Sequence, residues 1–149
     1  MTTYQRETFD EAYTDALPML EAHRIEISDN DVPLDVNVKA YQQSEKLGLL
    51  RIYTARNDRG MVGYAAMFIH RGLHNQDNLQ AAQDIFYVDP EWRGGMVGTR
   101  LLKFVEDQLR REGVQIVYQT VKIKHPMLGQ LLERSGYTAT ETVYQRRLV

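Results

Sequence analysis

The chain has 149 residues, of which 43% are hydrophobic, the size and apolar content of one ordinary folded domain spanning 1–149. Its formal net charge of −2 gives no bulk attraction for nucleic acid or for an anionic membrane. It has no cysteine, which excludes disulfides, a thiolate zinc site and a cysteine nucleophile.

There is no run of about 18 apolar residues, so no membrane span is expected. The start, MTTYQRETFDEAY, is polar and acidic and lacks the form of a secretory signal, so a soluble, cytoplasmic protein is expected.

Residues 3–7 predict a short strand. From Phe9 the period turns helical, with Ala12, Tyr13, Ala16, Leu17 and Leu20 at three- and four-residue spacing. Pro18 lies inside this run and predicts a kink or a break. SDNDVP at 28–33 reads as a loop, and Pro33 as the opening of a second helix that carries Val38 and Tyr41 and ends near Gly48.

The period then changes. LLRIYTA at 49–55 and MVGYAAMFI at 61–69 predict a hairpin about the turn residues NDRG at 57–60. HRGLHNQDN at 70–78 is a polar loop holding two of the four histidines. QDIFYV at 83–88 predicts the next strand, closed by Asp89-Pro90. After a run of glycines comes a helix with Val97, Leu101, Phe104, Val105 and Leu109 on one face, stopped by Gly113. VQIVYQTVKI at 114–123 predicts a strand. Pro126 to Arg134 predicts a helix ended by Gly136, and YTATETVYQRR a last strand. This order fits an α/β domain with a largely antiparallel sheet, because the hairpin precedes the strand–helix–strand part.

The chemistry concentrates in DPEWRGGMVGTRLLKF, 89–104. A helix start leaves amide N–H groups without intrahelical partners, and the helix dipole adds positive potential. Glycines just before it admit close approach of a bulky anion, which together make an anion site. Arg93 and Arg100 add charge, and Lys103 lies nearby. The spacing fits neither a P-loop nor a G-x-G-x-x-G fingerprint. On glycine spacing alone, a plain strand-to-helix turn explains the stretch as well as a phosphate cradle does.

The order strand, Asp-Pro, aromatic, Arg-Gly, glycine-containing turn and long helix resembles the acyl-CoA motif of the GNAT superfamily, the Gcn5-related N-acetyltransferases. That pattern is Arg/Gln-x-x-Gly-x-Gly/Ala after a strand ending Val-x-Pro-x-Tyr; here it reads VDPEWRGGMVGTRLL. Arg93 and Gly98 match, Met96 stands where the middle glycine is usual, and Gly95 lies one position earlier. The likeness extends to the hairpin, to VQIVYQTVKI and to the ending LLERSGY, over nearly the whole chain, and is greatest to small members of phage and bacterial type.

The resemblance implies a GNAT-like α+β fold, a mostly antiparallel mixed sheet in which a parallel strand pair, here 83–88 and 114–121, splays apart. The pantetheine arm of acetyl-CoA would enter the gap and bond the backbone of Phe86, Tyr87 and Val88. Its pyrophosphate would sit on amides of Arg93, Gly94, Gly95, Met96, Val97, Gly98 and Thr99, with Arg93 and Arg100 neutralising it. An acceptor amine, on a small molecule or as a protein amino group, would attack the thioester directly. An alkylammonium is mostly protonated at neutral pH and needs a base.

Asp84 is the candidate base, four residues before Val88 and so expected on the same strand face; the other reading is a salt-bridged or solvent-facing residue at the strand's start. The family's usual acid is a tyrosine four residues before the Gly-Phe/Tyr pair, here Gly136-Tyr137, and that position holds Leu132. The thiolate then leaves unaided, or His125 serves, or another tyrosine such as Tyr118 or Tyr87 does; His125, before a proline, has helix capping as its other reading. His70 and His74 read as loop surface or substrate contact, since no third metal ligand accompanies them, and no metal is expected. Arg146-Arg147 reads as solvated charge or a homodimer contact, and Trp92, Tyr87 and Tyr137 as packing. Two further readings stay open: a non-catalytic acyl-CoA-binding module on the same fold, and a nucleotide-binding protein outside the family.

Overall fold

Thr8 and Glu11 start the first helix by exchanging side chain-to-backbone hydrogen bonds. Thr8 Oγ1 accepts from the Glu11 amide at 3.2 Å and Glu11 Oε2 accepts from the Thr8 amide at 2.8 Å, a reciprocal cap. The computed structural model describes residues 1–28 and 31–149. Its elements in chain order are β1 (Thr3–Glu7), α1 (Phe9–Ile27), α2 (Val38–Lys46), β2 (Leu50–Asn57), β3 (Gly60–Arg71), β4 (Leu79–Val88), α3 (Val97–Arg111), β5 (Ile116–Tyr118) and α4 (Met127–Arg134). A short 3₁₀ turn, Pro90–Trp92, links β4 to α3.

The strands form one sheet in the order β1-β2-β3-β4-β5, antiparallel except for the last pair. Helices cover both faces. On one side α3 buries Leu101, Val105 and Leu109 against Tyr53, Met67 and Ala81, and Leu132 of α4 joins that core. On the other, α1 sets Phe9, Ala12 and Ala16 over Ile52, Ala66 and Tyr64. Each fully buried leucine on α3 contributes about 2 kcal/mol, so the amphipathic face seen in the sequence anchors this layer.

Several boundaries differ from expectation. Pro18 does not break α1, which runs through it. The proline lies on the exposed side, and the turns around it are held by buried Ala12 and Ala16, so packing outweighs one lost backbone bond. Pro33 does not open α2. Asn37 does, its side chain accepting from the Ala40 amide at 3.1 Å. Strand β4 begins four residues earlier than its apolar run, because Gln80 and Ala82 alternate with Leu79 and Ala81 in pairing with β3. Strand β5 has three regular residues instead of ten. Residues 138–149 form no strand: they are exposed and no ladder partner accepts their alternating pattern, although Arg147 reaches Asp31 at 2.8 Å. Of the loop expected at 28–33, Asp29 and Asn30 lie outside the described residues.

Candidate active site

The parallel pair makes the cleft. Gln80, Ala81 and Ala82 pair with Ile116, Val117 and Tyr118, and there the ladder stops. The Gln83 side chain caps the vertex, its Oε1 accepting from the Thr120 amide at 2.7 Å. Past this point Phe86, Tyr87 and Val88 pair only with Ala65, Tyr64 and Gly63 of β3, so their edge toward β5 carries no ladder partner. The splay expected from the resemblance is present, although the strands part by residue 83.

Asp84 sits where β4 bulges. Ala66 faces Ile85 and Met67 faces Gln83, leaving Asp84 opposite no residue. An inserted residue of this kind resets strand alternation and re-aims side chains. Phe86 and Val88 therefore point to the α3 core, whereas Asp84 turns to the other face and accepts from the Tyr41 hydroxyl of α2 at 2.5 Å. The expectation that Asp84 and Val88 share a face is thus corrected, the bulge being the reason. Asp84 keeps contact with solvent inside the cleft. Desolvation raises its pKa above the ordinary carboxylate value, and the Tyr41 hydrogen bond opposes that rise.

The glycine stretch forms a turn and an uncapped helix start. Gly94 has φ +82°, a left-handed conformation that favours glycine, and a Cβ there or at Gly95 would meet no heavy atom within 4 Å. No side chain caps α3 at Met96, and the first helical backbone bond is Arg100 N–H to the Met96 carbonyl at 2.9 Å. The amides of Val97, Gly98 and Thr99 are therefore without intrahelical acceptors. A Cβ added at Gly98 would meet Leu131 Cδ2 at 3.4 Å, an ordinary packing contact.

Asp84, Phe86, Tyr87, Val88, Arg93, Gly94, Gly95, Gly98, Thr99 and His125 all line one cleft. Met96, Val97 and Arg100 do not line it. Met96 is exposed, Val97 is buried in the core, and the charge of Arg100 acts on Tyr4 of β1, opposing the rise that burial imposes on that phenol.

Arg93 is held by protein groups. Its Nε donates to the Val88 carbonyl at 2.8 Å, its two terminal nitrogens donate to Glu26 at 2.6 and 2.9 Å, and it lies 5.2 Å from the Tyr87 ring centroid. The same Glu26 carboxylate lies 3.5 Å from His125 Nδ1. His23 packs its ring 4.8 Å from that of Tyr87, and burial lowers its pKa to about 4. Hydrogen bonding to Arg93 holds Glu26 below the usual carboxylate range.

Sequence reasoning missed Glu26, His23 and Gln83, and placed Tyr41 only on an apolar helix face. The signal available was spacing: His23 and Glu26 lie three apart and share a face of α1. Leu132 is buried in the core, so no hydroxyl occurs at that position. Tyr137 and Trp92 pack against the same core, and Tyr118 lines the cleft. His70 also lines the cleft and His74 does not. Among the described residues no three His, Cys, Asp or Glu side chains gather in a metal-binding group, and no helix is long and apolar enough to cross a membrane.

Comparison with known proteins agrees with this geometry. The sequence profile of the acetyltransferase (GNAT) domain matches residues 49–146. No curated protein sequence matches. Among solved structures, the fold is similar to the aminoglycoside acetyltransferase meta-AAC0020 from an uncultured soil metagenomic sample, with TM-score 0.77 and 14% identity, covering 99% of this chain and 95% of that one. It is similar to the ribosomal-protein-alanine N-acetyltransferase of Brucella melitensis biovar Abortus 2308, with TM-score 0.77 and 14% identity over 100% of both chains. It is also similar to a predicted acetyltransferase with acetyl-CoA from Clostridium acetobutylicum, with TM-score 0.69 and 14% identity, covering 99% and 97%. At such identities the structural likeness concerns the fold, and the profile match carries the assignment: the chain belongs to the GNAT acetyltransferase family.

Proposed function

We propose that the protein is an acetyl-CoA-dependent N-acetyltransferase acting on an amine, with 1–149 as its one catalytic domain. The observation that carries this reading is Asp84, bulged out of the ladder immediately beside the parting of β4 and β5. The residues fit a pyrophosphate-bearing acyl donor. The turn at Gly94 and Gly95 is open, and the amides of Gly98 and Thr99, which line the cleft, have no intrahelical acceptors. The unpaired edge at Phe86–Val88 fits an amide-containing arm. Arg93 fixes the turn through Glu26 and Val88, so backbone amides do most of the anion binding.

Bound acetyl-CoA would supply an activated carbonyl. Asp84, its pKa raised by burial, takes a proton from the acceptor ammonium, directly or through water. The amine nitrogen forms its bond to the carbonyl carbon, the carbon–sulfur bond breaks, and the nitrogen's second proton reaches the departing thiolate. His125 lines the cleft and is the candidate carrier of that proton, since Leu132 has none to give. Leu132 also supports a second reading, a binding module without catalysis.

Calorimetric titration with acetyl-CoA, with ATP as control, tests the donor site. Micromolar binding of acetyl-CoA and none of ATP is expected, and no binding of acetyl-CoA would overturn the reading. Thiol release with amines then separates enzyme from binding module.

A further inference from the structure

We propose that the corner of the cleft around Asp84 is an acceptor subsite for a compact, singly charged primary amine on an apolar or aromatic body. This rests on the transferase reading above and narrows it to a substrate class. The bulge sets a single carboxylate among rings. Tyr41, which donates to Asp84, stacks on Phe9 with ring centroids 5.1 Å apart and planes at 8°. Phe9 stacks in turn on Tyr13 at 5.0 Å. On the neighbouring strand Tyr64 stacks on Tyr87 at 5.6 Å. Ammonium groups are attracted both to a carboxylate and to aromatic rings, here the partly exposed Tyr13 and Tyr41, and an apolar body is attracted to the partly exposed Val36 and Ile85 beside them.

Tyr64 adds a second observation. It is 4% exposed, and its hydroxyl has no hydrogen-bond partner among the described residues. This corner thus holds one more polar group than its own side chains satisfy, which is unusual in a folded interior.

Charge counting decides against a polycation. Among the described residues the cleft is lined by five carboxylates, Glu26, Asp35, Asp84, Glu133 and Glu141. Glu26 is already paired with Arg93. Arg24, Lys122, Lys124 and Arg134 also line the cleft, so it presents no acidic field along which several ammonium groups could be spread.

The test uses the full chain with saturating acetyl-CoA and follows thiol release with 2-phenylethylamine, spermidine and kanamycin. Expected is a kcat/KM for 2-phenylethylamine at least tenfold above either polycation. Calorimetry of 2-phenylethylamine binding to the CoA-loaded protein should show at least tenfold weaker binding in Asp84→Asn, and steady-state thiol release should show, in Tyr64→Phe, an increase in KM exceeding any fall in kcat. Equal or better use of a polycation would overturn the proposal, as would acetyl-CoA binding with no turnover of 2-phenylethylamine. Failure to bind acetyl-CoA at all would instead overturn the transferase reading beneath it.

Discussion

Glu26 grips the guanidinium of Arg93 with both carboxylate oxygens, joining the end of α1 to the turn before α3 across 67 residues of sequence. Both side chains are about three-quarters buried, so the bond is more than a surface ion pair. Replacing Glu26 with Gln should leave Arg93 less firmly held and loosen the glycine turn. The expected result is a loss of about 1–2 kcal/mol, a Tm lower by about 3–6 °C. Acetyl-CoA binding should weaken about fivefold, or about 1 kcal/mol. Unchanged melting and unchanged affinity would show that the clamp does not organise the turn.

Asp84→Asn keeps the shape of the side chain and removes the proposed proton acceptor. Turnover should fall by about 10²–10⁴-fold while acetyl-CoA affinity stays the same. Comparable turnover in the variant would remove Asp84 from the mechanism.

The Tyr41–Asp84 hydrogen bond gives the pH profile a direction. Burial raises the Asp84 pKa and the donated hydroxyl lowers it, so Tyr41→Phe leaves burial less opposed. The acid limb of kcat/KM should therefore move to higher pH in Tyr41→Phe. A limb that stays in place, or moves down, would show that the activity is not governed by Asp84.

His23 couples stability to pH. Burial holds it neutral in the fold to about pH 4, whereas its unfolded value is near 6.5. Between those values the unfolded chain binds more protons, so stability falls as pH drops from about 6.5 toward about 4. With partial solvent screening the loss should be on the order of 1–2 kcal/mol. His23→Phe should flatten the slope of Tm against pH within this window. An unaltered slope would place the dependence elsewhere.

Legibility in the sequence followed the range of the forces involved. The α3 layer was readable because Val97, Leu101, Val105 and Leu109 repeat with the helix and all are buried. The glycine turn was readable because the positive φ at Gly94 is a local demand. The face of Asp84 was misread because a bulge is visible only when β3 and β4 are paired. Tyr41 and Glu26 escaped notice as site residues because their partners, Asp84 and Arg93, lie 43 and 67 residues away. The last strand was expected from alternation alone, yet a ladder needs a neighbour's edge, and 138–149 has none.

The bond between Gln83 and Thr120 has a further meaning. A parallel pair that simply frayed would zip and unzip, and a guest would have to compete with the ladder for each rung. Here the rung after Ala82 is already occupied by a side chain, and the peptide group of Thr120 has no reason to seek β4. If the donor's arm enters here as proposed, the gap is open before it binds, and one glutamine side chain holds its vertex.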